Sequence, residues 1–311
     1  MISILVSTYN YDCYRLVCDL HSQCKQLEHP FEILVGDDYS RDQLTVISNR
    51  KISELSDCHY FYSSENYGPA KNRNMLAEKS KGEWLIFIDS DAKVDNPHFI
   101  KNYVDSIGVA DVVVGGVKTP ILSNDEIVTT CITADLGALH SKFIVNRTLR
   151  YKYERNADKT RSAANRGVNP YHNMSSFNFM ISKSAFMAVK FDEQCQEYGF
   201  EDTLFGAELQ RNGFTIKHID NQLLHMGIDT NEKFLEKTQT SLRTLKPLGD
   251  KMKGYSRVYD TASKLHSYHI AWSVKMMYLL SKKLLEINLL SKKPSLFVFS
   301  FYKLGFFLCL K

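Results

Sequence analysis

A chain of 311 residues, 44% hydrophobic and 24% charged, carries enough apolar material for one large core or two modest ones, which excludes a disordered or low-complexity protein. The formal net charge of +4 is unevenly placed: from Lys264 to the end eight lysines face the single acid Glu286, a local +7 that leaves the rest of the chain at −3. That asymmetry excludes a general nucleic-acid binder and sets apart a specialised basic tail.

The seven cysteines are odd in number and form no Cys-x-x-Cys pair, so neither a disulfide framework nor a zinc knuckle is suggested, and a reducing compartment fits best. The sequence enters Ile2-Ser3-Ile4-Leu5-Val6 with no basic region, long apolar core or cleavage site before it, so the expected location is the cytoplasm.

Residues 2–6 read as a buried strand ending in Ser7-Thr8-Tyr9-Asn10. Cys13, Leu16, Val17, Leu20, Cys24 and Leu27 then share one helical face, with Asn10 or Asp12 as the cap. A second strand, Phe31 to Val35, leads into Gly36-Asp37-Asp38-Tyr39-Ser40 and puts acids at its tip. Leu44, Ile47, Lys51 and Leu55 mark another helix and Cys58 to Tyr62 a third strand, which makes β-α-β-α-β, the start of a parallel sheet.

Asn66-Tyr67-Gly68-Pro69 is a turn that places proline at the first position of the next helix, which ends by Gly82. Glu83 to Ile88 is an apolar run too short for a helix, hence a buried central strand, and it stops at Asp89-Ser90-Asp91. In an open α/β sheet such a tip is where ligands bind, and two hard oxygen ligands in a turn suit a divalent cation carrying phosphates. Turn and cap residues would also give that triplet, so by itself it decides nothing.

A helix through Phe99, Ile100, Val104 and Ile107 and a strand at Val112–Val114 follow. Between about 120 and 176 the periodicity degrades, with seven basic residues from Arg147 to Arg166, either a helix with a solvated basic face or a mobile loop that contacts an anionic acceptor. Phe177 to Ile181 restores a strand. Tyr198-Gly199-Phe200-Glu201-Asp202 opens a helix whose first turn holds Glu201 and Asp202, where the macrodipole favours carboxylates. Phe214 to Ile219 and Leu223-Leu224-His225-Met226-Gly227 complete the expected core.

Taken in order, Ser7-Thr8-Tyr9-Asn10, Asp37-Asp38, Asn66-x-Gly68 with Arg73-Asn74, Asp89-Ser90-Asp91 and Glu201-Asp202 resemble the motif series of family-2 glycosyltransferases of the GT-A fold. The resemblance spans residues 2 to about 226. It implies an α/β nucleotide-diphospho-sugar transferase fold, a mixed, mostly parallel sheet flanked by helices. The implied catalytic domain is 1–228, with 1–118 holding the nucleotide and 119–228 the acceptor, and 229–311 is a helical extension. Thr8, Asn10, Asp37, Asp38, Arg73 and Asp89 would line the nucleotide pocket, Asp38 on the uracil edge if the donor is a UDP-sugar. Asp91 would bind Mn²⁺ or Mg²⁺ directly, and Asp89 would reach the ribose or the metal's water shell. His225 resembles the distal histidine that completes the metal site in several members, and as a lone histidine after an apolar pair it also reads as a core or surface residue. Asp202 matches the catalytic base, with Glu201 beside it to orient the acceptor. The implied reaction is inverting transfer to a hydroxyl of a glycan or lipid-linked acceptor in surface polysaccharide synthesis.

The chain departs from the family at Ser7, where proline is usual, and at Tyr39, where glycine is usual. Tyr39 denies the loop its easiest left-handed conformation and puts nucleotide choice in doubt. A haloacid-dehalogenase-like phosphatase also places Asp-x-Asp at a strand tip, but it leaves Asp37-Asp38 and Glu201-Asp202 unexplained. A catalytically silent membrane scaffold that binds nucleotide sugars is the other alternative.

Beyond residue 230 the reading rests on physics. Trp272, Met276, Leu279, Leu280, Leu284 and Ile287 form an amphipathic helical stretch with Lys275, Lys282 and Lys283 among its polar positions. Leu296 to Leu308 is apolar and aromatic, interrupted by Lys303, and short of the ~20 residues a span needs. Such a segment suits the headgroup region of an anionic leaflet, so peripheral attachment to the inner face of the plasma membrane is expected, with packing on the core or on a partner subunit as the alternative.

Overall fold

The computed structural model describes residues 1–121, 127–133, 138–144, 148–195 and 199–310. Arg147 and Tyr198, which belong to the basic run and to the segment before Glu201, lie outside the described residues.

Strand and helix alternate where the apolar spacing changes period. The first stretch forms β1 (Ile2–Thr8), α1 (Tyr14–Lys25), β2 (Phe31–Asp37), α2 (Gln43–Arg50), β3 (Cys58–Tyr62), α3 (Pro69–Lys79), β4 (Trp84–Asp89), β5 (Ala92–Lys93), α4 (Phe99–Val104), β6 (Val112–Val114) and β7 (Val117–Lys118). Next come the hairpin strands β8 (Ile127–Thr133) and β9 (Ala138–Ile144), then α5 (Leu149–Asp158), α6 (Ala163–Gly167), β10 (Asn178–Ser182), α7 (Lys183–Val189), α8 (Glu201–Arg211), β11 (Ile216–His218) and β12 (Leu223–His225). The remainder is helical: α9 (Asn231–Leu248), α10 (Arg257–Ser267), α11 (Ala271–Leu289) and α12 (Leu296–Cys309).

The chain divides into two compact units, the first built from Met1–Pro120, Asp158–Gln196 and Glu201–Gly227. Its sheet runs β11-β6-β10-β4-β1-β2-β3, parallel except at β10, which is antiparallel to both β4 and β6. Because strand side chains alternate, the central strands feed two cores. Ile4, Val6, Ile33, Val35, Ile86 and Ile88 pack on one face with Leu16, Val17 and Leu20 of α1 and Phe99 and Ile100 of α4. Leu5, Leu34, Leu85 and Phe87 pack on the other with Leu76 of α3, Phe186 of α7 and Phe205 and Leu209 of α8. Burial on both faces is why these strands read as continuous apolar runs. The fold is therefore the mixed, mostly parallel α/β sheet that the sequence predicts.

Several ends differ from expectation for local reasons. The helix predicted to reach Ile107 stops at Val104, because Ser106 and Ile107 bond three residues back and Gly108 then turns with φ 81°. Asp12, not Asn10, serves the start of α1, its Oδ1 accepting the Tyr14 N–H at 3.0 Å. The basic stretch is not uniformly solvated: Arg166 is buried and donates to the Val114, Gly115, Arg161 and Ile219 carbonyls.

A second, three-stranded sheet has the order β5-β12-β7 and pairs Ala92 with His225. It folds the chain after Asp91 beside the histidine.

The second unit comprises Ile121–Ala157, Glu197–Phe200 and Ile228–Lys311. Its core is Leu149, Phe234, Leu235, Tyr278, Leu289, Phe299 and Tyr302. Thr230 and Ser295 cap α9 and α12, accepting the Lys233 and Val298 N–H groups. The apolar run after Pro294 forms α12 and packs one face into this unit, burying Phe299, Tyr302, Gly305, Phe307 and Leu308, while Phe297 is exposed. No helix among the described residues is long and apolar enough to cross a membrane.

Candidate active site

The C-terminal ends of β1, β2 and β4 deliver the motif residues side by side, as parallel registration of Thr8 with Asp37 and of Ser7 with Asp89 requires. Thr8 is buried and donates to the Tyr11 carbonyl at 2.9 Å. Asn10 takes the left-handed conformation (φ 51°), and its Oδ1 accepts the backbone N–H of Arg41 at 2.8 Å, tying the β1 loop to the β2 loop. Asp37 accepts the Ser40 N–H at 2.7 Å and the Tyr60 hydroxyl at 2.5 Å. Asp38, only 4% exposed, accepts the N–H groups of Tyr67 and Gly68 at 2.7 and 2.8 Å, which fixes the turn into α3. Gly68, with φ 84°, supplies the conformation that turn needs immediately before Pro69. Burial raises the Asp38 pKa, opposed by those two N–H bonds.

Tyr39 occupies the left-handed region (φ 65°) despite its side chain, so the glycine-like loop shape survives at a cost of about 1–2 kcal/mol. Its ring is partly exposed and lies 6.0 Å from that of Tyr62.

Arg73 is the electrostatic centre. Carried by α3 and buried, it donates to Asp89 Oδ1 at 2.7 Å, approaches Glu201 Oε1 at 3.6 Å and lies over the Phe191 ring. Burial would lower its pKa, but Asp89 and Glu201 outweigh that and hold it protonated. Among the described residues its Nη1 has no partner at hydrogen-bond distance, a donor left over inside the site. Desolvation raises the Asp89 pKa, Arg73 opposes this, and the charge on Asp91 adds to it.

The two acids of Asp89-Ser90-Asp91 make different contacts. Asp89 faces Arg73, whereas Asp91 Oδ2 lies 3.0 Å from His225 Nε2. His225 is buried against the edge of Phe177 and held by its pairing with Ala92. Gly227 makes this approach possible: a Cβ there would stand 2.1 Å from Asp91 Oδ2. Among the described residues no three or more His, Cys, Asp or Glu gather around one point.

Glu201 and Asp202 open α8 as expected. Burial first, then the neighbouring Glu201 charge, pushes the Asp202 carboxyl up to about 7, although the Thr203 N–H donates to it at 2.7 Å.

Sequence reasoning missed Gly227, Tyr60 beneath Asp37, and Tyr11, a half-buried tyrosine whose ionisation desolvation and then the Asp91 charge disfavour. Gly227 carried a signal, a glycine two residues past a candidate ligand; the tyrosines carried none.

The sequence model of glycosyl transferase family 2 matches residues 3–189, more than half of the chain. An uncharacterized glycosyltransferase of Haemophilus influenzae is 34% identical over 96 residues, 31% of this chain and 38% of that protein. The poly(ribitol-phosphate) beta-N-acetylglucosaminyltransferase TarS of Staphylococcus aureus is 32% identical over 92 residues, 29% of this chain and 16% of that one. The chain thus covers well under half the length of these relatives. The mannosyltransferase PcManGT of Pyrobaculum calidifontis, solved with GDP-Man and Mn²⁺, superposes with a TM-score of 0.56 at 13% identity, over 99% of this chain and 84% of that one. The phosphatase alternative falls with the family match, because the strand-tip acids, the sheet order and the matched residues agree on one assignment: this chain belongs to glycosyl transferase family 2 and has the GT-A fold.

Proposed function

We propose that this enzyme transfers a sugar with inversion from a nucleotide sugar, a UDP-sugar favoured, to a hydroxyl of a glycan or lipid-linked acceptor in surface polysaccharide synthesis at the inner face of the plasma membrane. Residues 1–118 hold the nucleotide, 119–228 the acceptor, and 229–311 form the extension. The observation that carries this reading is Arg73, one buried cation in reach of both Asp89 and Glu201, with Asp202 next in sequence. It ties the donor-side acid to the acceptor-side acids.

Thr8, Asn10, Asp37 and Asp38 frame the nucleotide, with Asp38 accepting from the uracil edge through lone pairs that its two N–H partners leave over. Asp89, oriented by Arg73, accepts from the ribose or from metal-bound water. The divalent metal that the family implies fits the residues present: Asp91 and His225 offer an oxygen and a nitrogen donor within 3.0 Å of each other, and the missing side chain at Gly227 lets Asp91 sit there. Asp91 and His225 would be this chain's ligands to it. Mn²⁺ or Mg²⁺ bound there supplies neutralisation of the charge that develops on the departing diphosphate. Asp202, a carboxylate poised near neutrality, takes the proton of the attacking hydroxyl, and Glu201 orients that acceptor. Attack opposite the leaving group inverts the anomeric carbon and needs no covalent sugar–enzyme intermediate.

The test is a thermal-shift series of UDP, GDP, CDP and dTDP with and without Mn²⁺, on wild type and Asp91→Ala. One diphosphate is expected to stabilise the wild type only with metal, by about 2.7 kcal/mol at a hundredfold excess over Kd, and Asp91→Ala to abolish the effect. If no diphosphate shifts the wild type, the nucleotide pocket is wrongly assigned. The silent-scaffold alternative predicts the same shifts without slow hydrolysis of any UDP-sugar in Mn²⁺.

A further inference from the structure

Helix α11 is apolar on two faces. One, with Tyr278, Leu285 and Leu289, packs into the core of the second unit. The other carries Trp272, Met276, Leu280, Leu284 and Ile287 at helical spacing, with Trp272 and Leu284 each 70% and Leu280 81% exposed. Scattered exposed apolar residues are ordinary, but a continuous stripe on one helix marks a contact surface.

The charges around the stripe say what it meets. Lys275, Lys282 and Lys283 on α11 are exposed. Lys292 and Lys293 follow in the loop, where Lys152 of α5 donates to the Pro294 carbonyl, and burial together with Lys293 lowers the Lys152 pKa. The helix's one acid, Glu286, is engaged by the Tyr302 hydroxyl at 3.2 Å and approached by Lys282 at 3.9 Å. An apolar stripe bordered by cations complements an anionic lipid surface, with the stripe among acyl chains and the ammonium groups at the phosphates. A second copy in a twofold contact would instead set this lysine-rich rim against itself.

We infer that the exposed face of α11, with its lysine rim, is the surface through which this chain docks on an anionic phospholipid bilayer. The assignment rests on the membrane side of the proposed function and deepens it. It takes precedence over the segment 296–308, where Phe299, Tyr302 and Phe307 are buried although Phe297 is exposed, as the main lipid-contacting element.

The experiment is flotation of the full chain with vesicles of phosphatidylglycerol and phosphatidylcholine in equal parts, beside phosphatidylcholine alone. The protein is expected to float with the anionic vesicles only and to be released by salt. Its tryptophan emission should shift to the blue, and Trp272→Phe should remove the shift although Trp84 remains. Lys282→Gln with Lys283→Gln should weaken binding about 25-fold, roughly fivefold per lysine. Leu280→Ser with Leu284→Ser should abolish it while circular dichroism and transfer to a water-soluble acceptor persist. Lost flotation with retained transfer isolates the docking surface, and retained flotation without transfer indicts the catalytic reading instead. The inference is overturned if the wild type fails to float, if the substituted proteins float equally well, or if the wild type sediments as a dimer that the leucine double variant splits.

Discussion

The first unit and the second handle apolar residues in opposite ways. In the first, buried strands alternate their side chains between two cores, so Thr8, Asp37, Asp38 and Asp89 stand out at strand tips against an apolar background. In the second, helix α11 is apolar on two faces, and only packing separates the buried Tyr278 from the exposed Leu280. Strand periodicity announces function through its interruptions; apolarity on more than one face of a helix does not tell inside from outside.

Substitutions sharpen the contrast. Asp202→Asn, in the first unit, should lower kcat by about 10²–10⁴ with a much smaller effect on calorimetric donor binding, because on the proposed mechanism it is the proton acceptor that is lost. With the carboxyl raised to about 7, wild-type kcat/KM should climb with pH through that value. Stability moves the other way: the raised carboxyl favours the fold below the unfolded-state pKa near 4, and this contribution is lost as pH rises through about 7. Asp202→Asn should therefore gain stability relative to wild type between pH 5 and pH 8, read from urea midpoints.

Tyr302→Ala should cost about 3–5 kcal/mol in equilibrium unfolding, as a large aromatic deleted from the α9–α11–α12 core. Gly227→Ala should cost about 1–3 kcal/mol of overpacking against Asp91 and remove the metal-dependent nucleotide shift. Leu284→Ala should change stability by less than about 0.5 kcal/mol; a loss as large as that of Tyr302→Ala would mean that the stripe is core after all.

The sheet was legible because its central strands are buried on both faces and bounded by Gly, Pro and acids; Val112–Val114 and the partly exposed edge strand Cys58–Tyr62 also form within the bounds read from sequence. So was the position of Glu201 and Asp202 in a first helical turn. What could not be read depends on distant partners. Arg166 looked like one more solvated cation and is instead pinned by carbonyls of Val114, Gly115 and Ile219. Gly227 acquires meaning only from Asp91, far away in the chain, and Tyr60 only from Asp37. Asp89 and Asp91, adjacent but for one serine, part ways because β4 ends in one sheet and β5 begins in another.

A guanidinium shared between Asp89 and Glu201 also has a bearing on kinetic order. If the donor ribose draws Asp89 away, more of the Arg73 charge is felt by Glu201 and Asp202, and the base ionises more readily once the donor is seated. Donor binding and ionisation of Asp202 are then coupled, and Asp89→Asn combined with Asp202→Asn should depart from additivity in kcat/KM.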